Sequence, residues 1–297
     1  MIVTEIEKAV ACYRKADTEI KNGMILLAAD AMHKNGRRVE SEAFRHIPND
    51  HVIETAKMDG RIFLGASVHP YRDAKSAHAE TMRCISAGAV LFNWLPAVQE
   101  INPQDDRCVP LYLNLIREEI PLLVHYEVGS AGREGAGHFY DPCKLTGALD
   151  YGLKVMVSLS PANVRQVPPS DDRVFNEFIG MLSLSAARKW DLYADITGLV
   201  AVSGFPYLEK IRQELDNGRI GPERIVGRNN LAVRQASDFF CEMSLENAAS
   251  GRTREGCGQL PGSGLNKLET FDFDVAAFTD IRKILRMCNR PALQDRH

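Results

Sequence analysis

The sequence predicts an α/β fold, a (β/α)₈ barrel that lacks its first strand. Three observations carry this. Short, continuous apolar runs begin near residues 24, 62, 89, 121, 154, 192 and 224. Amphipathic stretches with apolar residues at steps of three and four lie between them. The spacing of roughly 30 residues fits parallel βαβ units. Seven strands and a leading helix leave an eight-stranded barrel one strand short. The rival is a doubly wound open sheet. That fold normally carries a glycine-rich turn after its first strand, whereas the first run here ends Ala28-Ala29-Asp30-Ala31-Met32.

Each element follows in order. Ile6, Val10, Tyr13 and Ile20 line one face of a first helix, closed by Asn22-Gly23. Residues 24–29 are strand: a run with no polar alternation suits a strand buried on both faces. Pro48-Asn49-Asp50 opens a helix with Val52, Ile53 and Ala56 inward, and residues 62–68 return as strand. Residues 74–87 are helical up to Gly88, and residues 89–93 form the next strand. A helix over 108–118 presents Val109, Tyr112 and Leu115 or Ile116 on one face before the strand 121–125. Residues 142–151 are helical and 154–159 strand. Residues 172–189 show a clear helical face of Val174, Phe175, Phe178, Ile179 and Leu182, followed by the strand 192–196. Pro206 suits a first helical turn. Leu208, Ile211 and Leu215 carry that helix to Gly218, and 224–227 is the last candidate strand. Glycines crowd 240–270, which reads as a long loop, and a closing helix covers about 274–288. The chain is expected to be a single domain over residues 1–297.

Composition bounds the function. The 297 residues are 45% hydrophobic and 25% charged with a net charge of -3, an ordinary globular mixture. No long basic run marks a nucleic-acid binder, and no apolar stretch approaches the ~18 residues of a membrane span. The N-terminus is charged too early for a secretory signal. The seven cysteines are scattered and none forms C-x-x-C, so a cytoplasmic setting is expected. The open ends of the sheet would be a pairing liability. The tail, a partner chain in a homodimer, or a distorted closure is expected to cover one of them.

Parallel barrels place reacting groups at the C-terminal ends of strands. Asp30, His69, Asn93, His125 with Glu127, Ser158 with Ser160, Asp195 and Arg228-Asn229 stand there. His125 is the strongest candidate, since it ends an apolar strand and neutral imidazole is the commonest metal ligand. The bland reading is a core histidine bonded to backbone. His69 reads as a loop-positioning or substrate-side residue. Trp94 reads most simply as packing, with substrate stacking as the alternative. Asp195 lies inside its strand and reads as a buried structural carboxylate. Gly-x-Ser-x-Gly is absent, so no serine hydrolase elbow is expected. Gly256-Cys257-Gly258 lacks the ending of a phosphate loop.

The phrases Pro48-Asn49-Asp50, Gly65-Ala66-Ser67-Val68-His69-Pro70-Tyr71, Trp94-Leu95-Pro96 and Pro121-Leu122-Leu123-Val124-His125 occur in one order and spacing. Through them residues 44–127 resemble the amidohydrolase-related branch of metal-dependent hydrolases, which includes the aminocarboxymuconate-semialdehyde decarboxylase type. A looser likeness runs to about residue 228. The resemblance implies a barrel with one divalent metal, usually zinc, at its mouth. It implies a small-molecule substrate, and hydrolysis or decarboxylation. Family ligands are a His-x-His on the first strand, a histidine ending the fifth and an aspartate ending the eighth. Only His125 carries over cleanly. The His-x-His would precede residue 1, and Gly227-Arg228-Asn229 stands where Gly-Ser-Asp is usual. Asn229 cannot act as a base. Asp238, in Ala236-Ser237-Asp238-Phe239, is the shifted alternative as metal ligand and base. His69, Trp94 and Glu127 are the implied substrate-side residues. Three outcomes stay open: a chain that starts inside the barrel, an inactive relative that binds without reacting, or another constellation such as His69, His125, Glu127 and Asp238.

Overall fold

The computed structural model describes residues 24–40, 46–60, 62–128, 139–161, 172–201, 205–226 and 287. Its main sheet has strands β1 (Met24–Leu27), β4 (Ile62–Ala66), β5 (Leu91–Trp94), β6 (Leu122–Val128), β7 (Val155–Pro161), β8 (Leu192–Asp195) and β9 (Ile225–Val226). Neighbours in the sheet are neighbours in the chain, and every pairing is parallel. A doubly wound sheet reverses its strand order at a switch point. This one never does, so each βα unit adds on the same side, as in a barrel.

The connecting helices are α1 (Asn49–Met58), α2 (Ala74–Ser86), α3 (Pro96–Gln99), α4 (Val109–Arg117), α5 (Thr146–Asp150), α6 (Arg173–Arg188), α7 (Thr197–Ala201) and α8 (Phe205–Asp216). A strand alternates its faces, and here the two faces meet different company. Leu64, Ala66, Phe92, Trp94, Leu122, Val124, Val155, Val157 and Ala194 pack with helix residues such as Val52, Cys84, Tyr112, Phe178 and Ile211. Phe63, Leu91, Leu123, Met156 and Val226 pack with one another, with Ile25, Leu27 and Tyr193 beside them. Helices cover one face, and the other is lined by strand residues that pack on one another with Met287 beside them, as in a barrel interior. Together with the unreversed strand order, this arrangement is that of an incomplete barrel.

Among the described residues, the strand and helix positions agree with the sequence expectation to within a few residues. Asp73 and Asp172 cap α2 and α6 by accepting from Ser76 N (3.0 Å) and Phe175 N (3.0 Å). Four short elements, β2, β3, α3 and α7, were not expected. The hairpin β2 (His33–Lys34) and β3 (Arg37–Arg38) turns at Asn35-Gly36, both with positive φ, the preference of a tight primed turn. Helices α3 and α7 are too short to show a 3.6-residue period. The expected helix over 142–151 divides into a 3₁₀ turn, Pro142–Leu145, and α5.

Among the described residues, β1 and β9 each have a neighbour on one side only. Met287 is buried with the interior cluster, and its carbonyl accepts from Lys154 Nζ at 2.8 Å, beside the start of β7. The first helix, the 240–270 loop and the rest of the 274–288 helix lie outside the described residues. No helix among the described residues is long and apolar enough to cross a membrane.

Candidate functional site

The interior positions of each strand can be followed upward by twos. On β6 they are Leu123, His125 and Glu127, and on β7 Met156, Ser158 and Ser160. On β8 they are Tyr193 and Asp195, and on β5 Leu91 and Asn93. Apolar residues fill the lower level and polar residues the upper one. His125 is in register with Ser158, and Ser158 with Asp195. Asn93, Ser158 and Asp195 are buried, whereas His125 and Glu127 are partly exposed above them.

Asn93 sets the state of His125. Its amide Nδ2 donates to Ala28 O at 2.8 Å, which turns Oδ1 toward the imidazole. Oδ1 lies 2.8 Å from His125 Nε2, so Nε2 carries the hydrogen and donates. The Asn93 carbonyl in turn accepts from Ser67 Oγ at 2.7 Å, tying β5 to the end of β4. Asp195 accepts from Thr197 N at 3.1 Å and also from the Thr197 hydroxyl. Ser158 stands between His125 and Asp195 in the row, so the nucleophile–base–acid order of a serine triad is not reproduced.

His69 is elsewhere, and this corrects the expectation that it shares the mouth with His125. It is fully buried beneath the loops. Its Nδ1 accepts from Tyr71 N at 3.1 Å, so Nε2 donates to Gln99 O at 2.8 Å. With both nitrogens engaged it offers no ligand atom. Burial lowers its pKa to about 4, which keeps it neutral. It belongs to a clamp that joins the ends of three strands. Asp30 accepts from His69 N (2.7 Å), Ala31 N (2.8 Å) and both arms of Arg72 (2.7 Å each). Gln99 Nε2 donates to Asp30 O at 3.0 Å.

Trp94 is also corrected as a substrate-side residue. It faces the helix layer, is fully buried, stands 5.8 Å from the Tyr112 ring and donates from Nε1 to Val68 O at 2.9 Å. Glu127 keeps its place beside His125 on the interior face. Asn229 and Asp238 lie outside the described residues.

A zinc site needs three or four protein donors in close reach. Among the described residues the mouth brings no such trio together. Among the described residues, the one group of three that could hold a metal ion is Asp141, Cys143 and Glu177, away from the mouth. The strand-end reading singled out Asn93, Ser158 and Asp195 without connecting them. Counting by twos from Leu123, Met156 and Tyr193 is the signal that joins them.

No protein-family model matches the chain, and no curated protein matches it. Solved structures do resemble it. A TIM-barrel protein from Bordetella bronchiseptica is 16% identical over 77% of this chain and 75% of its own, with a TM-score of 0.48. An amidohydrolase from Mycobacterium avium subsp. paratuberculosis is 16% identical over 81% of this chain and 63% of its own, with a TM-score of 0.43. A 4-oxalomesaconate hydratase from Rhodopseudomonas palustris is 16% identical over 60% of this chain and 54% of its own, with a TM-score of 0.37.

Proposed function

We propose that this barrel is a hydrolase of the metal-dependent amidohydrolase type, taking a small organic substrate at the C-terminal mouth with His125 as its proton-handling group. The supporting observation is the Ala28–Asn93–His125 chain, which fixes the imidazole in its Nε2–H tautomer. A histidine held in one tautomer above a buried polar floor, with its Nδ1 shielded from bulk water, suits general acid–base work on a substrate that enters beside it. In that tautomer Nδ1 carries the ring's lone pair. It would accept a proton as water attacks an acyl carbon and return it to the leaving group.

The described mouth residues do not fit a metal by themselves, and the proton transfer at His125 uses none. If a metal acts there, its further donors come from residues such as Asp238. Such an ion would polarise the acyl oxygen and activate the water.

The test is turnover of small esters, lactones, amides and carboxylated compounds, with chelator and with added Zn²⁺, by the wild type and by His125→Gln. Loss of a general base costs about 10²–10⁴-fold, so a fall of that size in kcat with little change in KM is expected. Carbon dioxide release in place of hydrolysis would move the reaction to decarboxylation. Equal rates in both proteins, or none in either under any metal, would overturn the reading in favour of a barrel that binds without reacting.

A further inference from the structure

A second cluster lies on the opposite face of β6 from His125. Asp141 precedes the 3₁₀ turn Pro142–Leu145 and accepts from Cys143 N at 2.9 Å, which places both side chains of the turn together. Glu177 comes from α6. The Sγ atom and one oxygen of each carboxylate all lie within 4.8 Å of one another. Cys143 also packs against the helix-layer core.

Tyr126 supplies an independent observation. It sits on β6 facing the helices, is 1% exposed, and its hydroxyl makes no hydrogen bond among the described residues. Burial raises the pKa of its phenol, and the neighbouring Asp141 and Cys143 raise it further. A buried hydroxyl left unmade costs roughly 1–3 kcal/mol, and native interiors normally satisfy it with protein, water or an ion's hydration shell. The cluster itself is crowded with acids. Burial and the neighbouring Asp141 and Glu177 carboxylates push the Cys143 thiol up to about 11. The nearby cations are peripheral. Arg173 Nε, on a side chain 76% exposed, pairs with Glu177 Oε1 at 2.6 Å. Lys144 Nζ is 4.0 Å from Asp141 Oδ2 and donates to Gln104 at 3.0 Å.

We propose that Asp141, Cys143 and Glu177 bind a thiophilic divalent cation, of the zinc or cobalt class, at a site separate from the barrel mouth. One sulfur and two carboxylate oxygens select Zn²⁺, Co²⁺ or Cd²⁺ over Mg²⁺ and Ca²⁺. Donors at about 2.0–2.3 Å from such an ion stand roughly 3.5 Å apart across a tetrahedron, so donors that all lie within 4.8 Å of one another need to close by little more than an ångström at most. The fourth position goes to a water, which gives the Tyr126 hydroxyl its partner. The ion would pin the turn and α6 to the back of β6, the strand that carries His125. Its role is therefore structural support of the mouth.

The experiment is titration of the full, metal-stripped chain with Co²⁺, read by thiolate-to-metal charge-transfer absorption and by thermal unfolding. One equivalent with a thiolate band and a raised Tm is expected. The band should vanish in Cys143→Ser, weaken at least tenfold in affinity in Glu177→Gln and Asp141→Asn, and persist in His125→Gln and Cys108→Ser. Glu177 and Asp141 are partly exposed, so their variants decide the matter even if Cys143→Ser folds poorly. Absence of a band in the wild type overturns the proposal. So does a band of unchanged affinity in both carboxamide variants. Loss in His125→Gln would assign the ion to the mouth.

Discussion

The amide of Asn93 couples two distant backbone and side-chain groups: it donates to Ala28 O and accepts from His125 Nε2, each at 2.8 Å. Asn93 is 2% exposed, so water cannot replace either bond. Asn93→Leu keeps the approximate volume and orphans a buried carbonyl and an imidazole N–H. Each orphan costs about 1–3 kcal/mol, and the half-open imidazole contributes at the low end. A loss of roughly 2–4 kcal/mol is expected in urea unfolding. Nitrogen NMR of the wild type should show the Nε2–H tautomer, and the variant should show a mixture. A loss below about 0.5 kcal/mol with the tautomer unchanged would contradict the coupling.

Asp30 holds Arg72 with two 2.7 Å bonds while also accepting two backbone N–H groups. The Asp30 side chain is 5% exposed and the Arg72 side chain 24%. Arg72→Met leaves a buried carboxylate without its counter-charge. Breaking a buried pair costs about 3–5 kcal/mol. Arg72 is partly solvated and the backbone donors remain, so roughly 2–3 kcal/mol is expected. Chemical denaturation checks it. An unchanged midpoint would mean that the backbone donors alone satisfy Asp30.

The barrel was legible because its evidence is periodic. Runs such as Ile62–Ala66 are apolar on both faces, and helices such as Arg173–Arg188 show an unbroken 3.6-residue stripe. The short elements α3 and α7 carry no such signal. The hairpin at 33–38 carried one, Asn35-Gly36, in strands of two residues each. His125 and Glu127 were legible for the same reason, since both share the parity of Leu123. Trp94 could be read by that rule too: it is out of step with Leu91 and Asn93 and so faces the helices. His69 could not. It follows the end of its strand, and its burial depends on Gln99 of α3 and on Asp30 beyond β1, which come from other parts of the chain. The Asp141–Cys143–Glu177 cluster joins a turn to a helix 34 residues on, a proximity that only the fold creates.

Two glycines make close approaches of different kinds. A Cβ on Gly65 would meet Leu27 Cδ2 at 2.6 Å and Leu91 Cδ1 at 3.1 Å, both ends of flexible side chains inside the barrel. A Cβ on Gly198 would meet the backbone carbonyl oxygen of Leu159 at 2.5 Å. Side chains rotate away and a strand carbonyl does not. Overpacking costs about 1–3 kcal/mol. Gly65→Ala is expected near the low end. Gly198→Ala is expected at or above the high end, with α7 displaced from β7. Thermal unfolding of the two variants ranks them, and the reverse order would show that the barrel interior is the less yielding of the two.

His69 gives the clamp a pH dependence whose sign is fixed by burial. Its pKa falls from the usual 6.5 to about 4 in the folded chain. Above pH 6.5 the imidazole is neutral in both states and contributes no slope. Between about 6.5 and 4 the unfolded chain takes up a proton that the folded chain refuses, so stability declines as the pH falls. At 1.36 kcal/mol per pH unit, the full interval is worth roughly 3 kcal/mol. His46, whose pKa is also lowered by burial, slopes the same way. The informative quantity is therefore the difference from a variant. His69→Gln removes the titration, and its amide can still donate toward Gln99 O. That variant is expected to be less stable than the wild type at pH 7.5 and to lose less stability on going to pH 4.5. Urea unfolding at intervals between those values gives both curves. Parallel curves would mean that His69 titrates normally, and that the Asp30–His69–Gln99 clamp opens to solvent.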